Sequence, residues 1–135
     1  MVPEAHVICA KMRNDLHLFL TLRAKYPGAF LLIRYEDLVM DLRGTLDKMY
    51  SHFGEQPAKE VYDKMYDMMH APFETDDKHM FSVNRSNATA SLYKWLNNND
   101  HDEIEGMTKH CSDVLQQLGY PYHMTKNQRY TSINI

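Results

Sequence analysis

One short segment constrains this chain more than any other: Ala29-Phe30-Leu31-Leu32-Ile33, a continuous apolar run set between Pro27-Gly28 and Arg34. A strand with one wet face alternates apolar and polar residues, whereas an unbroken run suits a strand buried on both faces of a parallel sheet. One strand cannot make a sheet. The rest of the sequence offers no second run of this quality. The expectation is therefore a buried parallel strand near residues 29–34 whose partner strands come from elsewhere, or a domain that is incomplete.

The remaining periodicity is helical. From Glu4 to Lys25, Ile8, Met12, Leu16 and Phe19 or Leu20 recur on one stripe, and Tyr26-Pro27-Gly28 stops the helix. After the block Arg34-Tyr35-Glu36-Asp37-Leu38, a second stripe carries Leu42, Leu46, Met49, Tyr50 and Phe53, with Asp41 as the expected N-cap and Gly54 as the end. A third helix is expected from Pro57 to about Met69, burying Val61, Met65 and Met68. His70 to Asn87 reads as a long irregular segment, Ala88 to Leu96 as a short helix, and Asn97 to Asp100 as a break. A final helix is expected from His101 to Leu118, with Ile104, Met107, Cys111, Val114 or Leu115 and Leu118 inward and Gly119 and Pro121 at its end. The tail, residues 123–135, is polar and aperiodic and is expected to be poorly ordered.

With 135 residues and 44% hydrophobic content, the chain has room for one domain with a modest core. A formal charge of -3 gives no basic field for a nucleic-acid backbone. No run approaches the ~20 apolar residues of a membrane span. The N-terminus has neither the basic nor the apolar region of a secretory signal. Eight scattered histidines and two cysteines lack the spacing of a metal site, and five glycines form no GxSxG, GxGxxG or GxxxxGK[ST] motif. No metal is expected. The Met-rich stripe of the third helix reads as core rather than as a cofactor box. Cys9 and Cys111 both fall in apolar helical patterns, which leaves two readings: two buried thiols, or one bridge between the first and last helices. Such a bridge would close a loop of about 100 residues and contribute roughly 4 to 5 kcal/mol.

The chemistry left over is positional. Ligands of α/β folds bind at the C-terminal ends of strands, so Arg34, Glu36 and Asp37 are candidates to line a site. Alternatively, Glu36 and Asp37 fix Arg34 and cap the next helix. In the later loop, Arg85 with Ser86 has the guanidinium fork and hydroxyl that hold a phosphate or sulfate, and its other reading is an exposed loop cation.

Those landmarks occur in a particular order: Ile8-Cys9-Ala10-Lys11-Met12-Arg13-Asn14-Asp15-Leu16, then Leu32-Ile33-Arg34-Tyr35-Glu36-Asp37-Leu38, then Arg85-Ser86-Asn87-Ala88-Thr89 before Lys94-Trp95, then Cys111 and Leu118-Gly119-Tyr120. This order resembles the C-terminal part of the Golgi carbohydrate sulfotransferases over roughly residues 6–122. The family's next helix commonly opens with proline, where this chain has Leu42.

The resemblance implies an α/β class fold, part of a P-loop nucleotide-kinase-like sulfotransferase domain over residues 1–122. That part is mostly helical, with the one buried parallel strand near 29–34. It implies transfer of a sulfuryl group from 3'-phosphoadenylyl sulfate (PAPS) to a sugar hydroxyl of a glycan acceptor, with no metal and no nucleic-acid partner. Arg85 and Ser86 become the expected cofactor contacts, while Trp95 packs its helix.

An oxidising Golgi lumen favours the Cys9–Cys111 bridge. It also makes Asn84-Arg85-Ser86 and Asn87-Ala88-Thr89 candidate glycosylation sequons at Asn84 and Asn87. The resemblance further implies that the donor loops and the membrane anchor lie upstream of this chain, which would leave it inactive alone. The alternative is a helical binding or regulatory module without catalysis. Neither the acceptor hydroxyl, nor the catalytic base, nor an oligomeric state follows from the sequence.

Overall fold

A computed structural model describes residues 5–70 and 88–121. Eight helices are present among them: α1 (Ala5–Lys25), α2 (Tyr35–Met40), α3 (Leu42–His52), α4 (Lys59–His70), α5 (Ala88–Leu92), α6 (Lys94–Asn98), α7 (His101–His110) and α8 (Ser112–Gln117). The described residues fall into two compact units, one of residues 5–30 with 95–121 and one of residues 31–70 with 88–94.

In the first unit, α1 packs on α7 and α8. Its buried residues are Ala5, Cys9 and Leu16, and those of the α7–α8 segment are Thr108, Cys111 and Val114, of which Val114 is 1% exposed. Ile8, expected on the inner stripe, is 43% exposed instead. Leu16 of that stripe is buried and Met12, Phe19 and Leu20 are half-buried, while Cys9, bonded to Cys111 with Cα atoms 5.0 Å apart, takes the inner position beside Ile8. Lys25 ends the helix, and the Pro27-Gly28 turn is closed by the Ala29 N–H donating to Tyr26 O at 3.1 Å.

The single helix expected over 101–118 is two, α7 and α8, meeting at Cys111 (φ -97°, ψ 5°). The Arg13 guanidinium takes the His110 carbonyl at this joint. α8 then ends on Gly119 at φ 75°, with Gly119 N–H donating to Gln116 O and Tyr120 N–H to Leu115 O. These are the paired bonds of a Schellman cap, which needs the left-handed backbone that glycine reaches without strain.

In the second unit, α2 lies against α3 and α5, and α3 against α4. Its buried residues are Arg34, Thr45, Leu46, Ala88 and Leu92. Asp41 is the expected N-cap of α3, accepting from the Gly44 N–H at 3.0 Å. Gly54 (φ 75°) ends α3 with the same pair of cap bonds, from Gly54 N–H to Ser51 O and from Glu55 N–H to Tyr50 O. Phe53, expected in the core, lies beyond the last turn and is 76% exposed. α4 begins two residues after Pro57, and Val61, Met65 and Met68 are half-buried rather than buried.

The largest correction concerns residues 29–34. No strand occurs among the described residues, and this segment is irregular. A strand exists only as a member of a ladder, and the described residues offer it none. Phe30 is accordingly 37% exposed, Leu31, Leu32 and Ile33 are half-buried, and only Arg34 is buried. Residues 35–38, expected at the C-terminal end of that strand as a possible site, are the first turn of α2, where Glu36 and Asp37 complement the helix dipole. The expected short helix over 88–96 is likewise divided at Tyr93 into α5 and α6. The expectations for 71–87 and for the tail lie outside the described residues.

Candidate functional site

The strand-end block forms one tight cluster in the second unit. Arg34 precedes α2 in extended conformation (φ -88°, ψ 147°), and Asp37 sits one turn later. Arg34 Nε donates to Asp37 Oδ2 at 2.9 Å and Nη2 to Oδ1 at 2.6 Å, a two-bond fork around a guanidinium that is 7% exposed. The Asp37 main-chain oxygen accepts the Thr45 hydroxyl at 3.0 Å, and Thr45 is itself buried. A buried guanidinium is costly unless its charge is matched, and Asp37 matches the charge and takes two of its N–H donors while its carbonyl ties α2 to α3. Of the two sequence readings, this geometry matches the one in which the acidic residues fix Arg34, with Asp37 making the contact. The capping half of that reading needs correcting, because Asp41 rather than Glu36 or Asp37 caps α3.

An open groove of about 570 Å³ lies where α3 turns into α4, lined by Asp47, Ser51, Gly54, Glu55, Gln56, Pro57 and Tyr62. The Tyr62 hydroxyl donates to Asp47, a contact that raises the Tyr62 pKa. Arg43 lies over the Tyr62 ring at 4.2 Å from its centroid. Sequence reasoning singled out none of these three, because their pairing depends on how α3 meets α4, which no local spacing encodes.

The first unit holds the cysteine pair and a second junction beside it. Arg13 Nε and Nη2 donate to the Asp113 carboxylate at 2.5 and 2.8 Å, and Nη2 also donates to His110 O at 2.5 Å. The hydrogen bond raises the Arg13 pKa and holds Asp113 below the usual carboxylate range. Sequence reasoning missed this pair too. Its signal was available only after pairing the cysteines, since Arg13 follows Cys9 by one helical turn and Asp113 follows Cys111 by two residues.

Arg85, Ser86, Asn84 and Asn87, the expected donor contacts and sequons, lie outside the described residues. Trp95 is 37% exposed, and its carbonyl accepts from the Asn99 side chain at 2.6 Å. Among the described residues, no group of three or more His, Cys, Asp or Glu is placed to hold a metal ion. No described helix is long and apolar enough to cross a membrane.

Comparison with known proteins gives these clusters a setting. The chain is 25% identical over 113 residues to carbohydrate sulfotransferase 1 of Danio rerio, covering 84% of this chain and 27% of that protein. It is 28% identical over 114 residues to carbohydrate sulfotransferase 2 of Mus musculus and of Homo sapiens, covering 84% of this chain and 21% of each. The chain thus spans about a quarter of the length of the curated relatives it matches. No solved structure matches it. The family model of the sulfotransferase domain matches residues 2–119, taking in both units, the Arg34–Asp37 fork and both cysteines, and the chain belongs to that family.

Proposed function

We propose that this chain serves the transfer of a sulfuryl group from PAPS to a hydroxyl of a glycan, as the helical part of a carbohydrate sulfotransferase domain of α/β class. The observation that carries this reading is the sulfotransferase-domain match across residues 2–119, joined by relatives whose names specify carbohydrate. In such a transfer the acceptor oxygen bonds to sulfur, the bond from sulfur to the donor phosphate breaks, and the acceptor proton passes to a base. PAPS supplies the activated sulfuryl group. The protein's task is to hold anionic oxygens and balance the charge that develops on the leaving phosphate.

In this reading Arg85 binds a donor phosphate or sulfate through its planar fork, and Ser86 donates its hydroxyl. The Arg34–Asp37 fork is structural, because its guanidinium already faces a carboxylate. The place of action is the Golgi lumen, an oxidising compartment in which the Cys9–Cys111 bond persists. Asn84 and Asn87 stand in glycosylation sequons, but a glycan there would obstruct the Arg85–Ser86 contacts, so in this reading they stay unmodified. On its own the chain offers the donor only the Arg85 and Ser86 contacts and does not turn over.

The test is thermal unfolding of the chain with adenosine 3',5'-bisphosphate, beside an incubation with PAPS and oligosaccharide acceptors. Nucleotide at about 100 times its Kd stabilises a one-site binder by roughly 2.7 kcal/mol. The expected result is a rise of several degrees in Tm, absent in Arg85→Ala and absent with sulfate alone, and no sulfated product. Equal shifts in both proteins would remove Arg85 from the site, and no shift in either would overturn donor binding. Sulfated product from the chain alone would overturn its inactivity and leave the transferase reading standing.

A further inference from the structure

The two junctions of the first unit close nearly the same loop. Cys9 and Cys111 are 102 residues apart in sequence, and Arg13 and Asp113 are 100 apart. On α1, Arg13 lies four residues after Cys9, so both side chains leave the same face. On the opposite side, the guanidinium grips His110 and Asp113, which bracket Cys111. One side chain therefore fixes the approach, direction and register of the segment that carries the second sulfur. We propose that the Arg13–Asp113 clasp is a positioning device for the Cys9–Cys111 bond: it holds α1 on the α7–α8 joint in the dithiol form and thereby sets how readily the pair oxidises.

The physical reason is loop closure. A disulfide needs its two Cα atoms within about 4.4 to 6.8 Å, and here they stand 5.0 Å apart. Bringing two residues this distant in sequence to that separation from an open chain has an entropic cost. A clasp that has already closed the loop leaves little of that cost to the sulfurs, and so raises the effective concentration of one thiol about the other.

The exchange itself balances with oxidised glutathione as the oxidant. One cysteine thiolate attacks a glutathione sulfur and releases a glutathione thiolate. The second cysteine thiolate then attacks the sulfur of the mixed disulfide and releases the other glutathione. Two electrons pass from the cysteine pair to glutathione, and the two cysteine protons end on the released thiols. The clasp acts on the second, intramolecular step. Cys9 and Cys111 are 0% and 3% exposed, so glutathione meets either sulfur only when α1 parts from the joint, and the clasp favours the closed arrangement in which the second step occurs.

Coupling of this kind is reciprocal, so bond and clasp each strengthen the other. Arg13 and Asp113 side chains are 41% and 48% exposed, and screening by water keeps the effect small. What distinguishes the contact from an ordinary surface pair is its fork on one carboxylate plus a main-chain carbonyl, a geometry lysine does not reproduce.

The experiment equilibrates the full chain in glutathione buffers of graded composition, quenches by alkylation and reads the oxidised fraction by mass. Arg13→Ala and Asp113→Asn are each expected to lower the oxidation equilibrium constant roughly three- to tenfold, with the double variant no lower than Arg13→Ala. Arg13→Lys falls between wild type and Arg13→Ala. Raising the salt to about 1 M moves the wild type toward the Arg13→Ala value and leaves that variant unmoved. Equal constants for wild type and Arg13→Ala, or single effects that simply add, would overturn the proposal. If a variant fails to fold, the salt titration of the wild type decides alone, and a constant independent of salt refutes the clasp.

Discussion

Reducing the Cys9–Cys111 bond reopens a loop of 102 residues. In the chain-entropy account the cross-link removes about 16 cal/mol/K from the denatured ensemble, or about 4.7 kcal/mol at 25 °C. A domain of this size has roughly 5 to 15 kcal/mol in all, so reduction should take away a third or more of the stability of the unit that holds the bond. Reduction is a cleaner perturbation than substitution. Both residues are buried, and both thiols stay in place, so no cavity opens. The effect therefore falls on the unfolded chain, which gains conformational freedom and exposed surface. Trp95 is the sole tryptophan and belongs to the same unit, so its fluorescence in urea reports the right transition. Oxidised and reduced chains should differ by about 3 to 5 kcal/mol, with the m-value larger after reduction. A difference below about 1 kcal/mol with equal m-values would refute the reasoning, because it would mean that the bond does not restrain the unfolded chain.

Two further outcomes follow from local geometry. Asp41→Ala should lower stability by about 1 kcal/mol through loss of the α3 cap. Gly44→Ala, which in an ordinary helix gains about as much, should gain nothing in the wild type, because a Cβ there would stand 2.9 Å from the Asp41 carboxylate carbon. The gain should return in the Asp41→Ala background, and thermal unfolding that shows equal effects of Gly44→Ala in both backgrounds would sink this account. The clasp predicts a pH dependence of defined sign. Arg13 depresses the Asp113 pKa in the folded chain, so its contribution is present above the ordinary carboxylate range and lost as pH falls below it. The stability difference between wild type and Asp113→Asn should therefore shrink between about pH 6 and about pH 3 in urea titrations, and a difference that grows on acidification would contradict it.

What the sequence revealed is what is stored locally. The Asp41 cap, the helix ends at Gly54 and Gly119 and the Pro27-Gly28 turn each depend on groups within a few residues, and each stands where its chemistry placed it. Periodicity located α1, α3, α4 and the α7–α8 segment but not their phase. The apolar residues of α1 are spread around the helix, with Ile8 and Leu18 43% and 55% exposed, so the stripe was a weak guide to its buried face. Cys9, bonded to Cys111 and 0% exposed, marks that face. The breaks at Tyr93 and Cys111 were illegible for a related reason, since each segment keeps helical period across its joint.

The segment 29–34 shows where pattern reading fails in kind rather than degree. An unbroken apolar run states that side chains prefer to leave water, and it says nothing about where the backbone N–H and C=O groups find partners. Strand pairing is a long-range property, and among the described residues no second strand meets Phe30 to Ile33. Arg34 followed the opposite course. Its block was read first for its position at a strand end, yet the contact that defines it spans three residues, from guanidinium to Asp37, and needs no sheet at all. The Arg13–Asp113 pair, at 100 residues, was out of reach for periodicity and spacing alike until the cysteines were joined. The same distinction separates the two arginines functionally. Arg34 meets Asp37 within its own turn, whereas Arg13 grips a partner 100 residues away, beside the 102-residue loop that the disulfide closes.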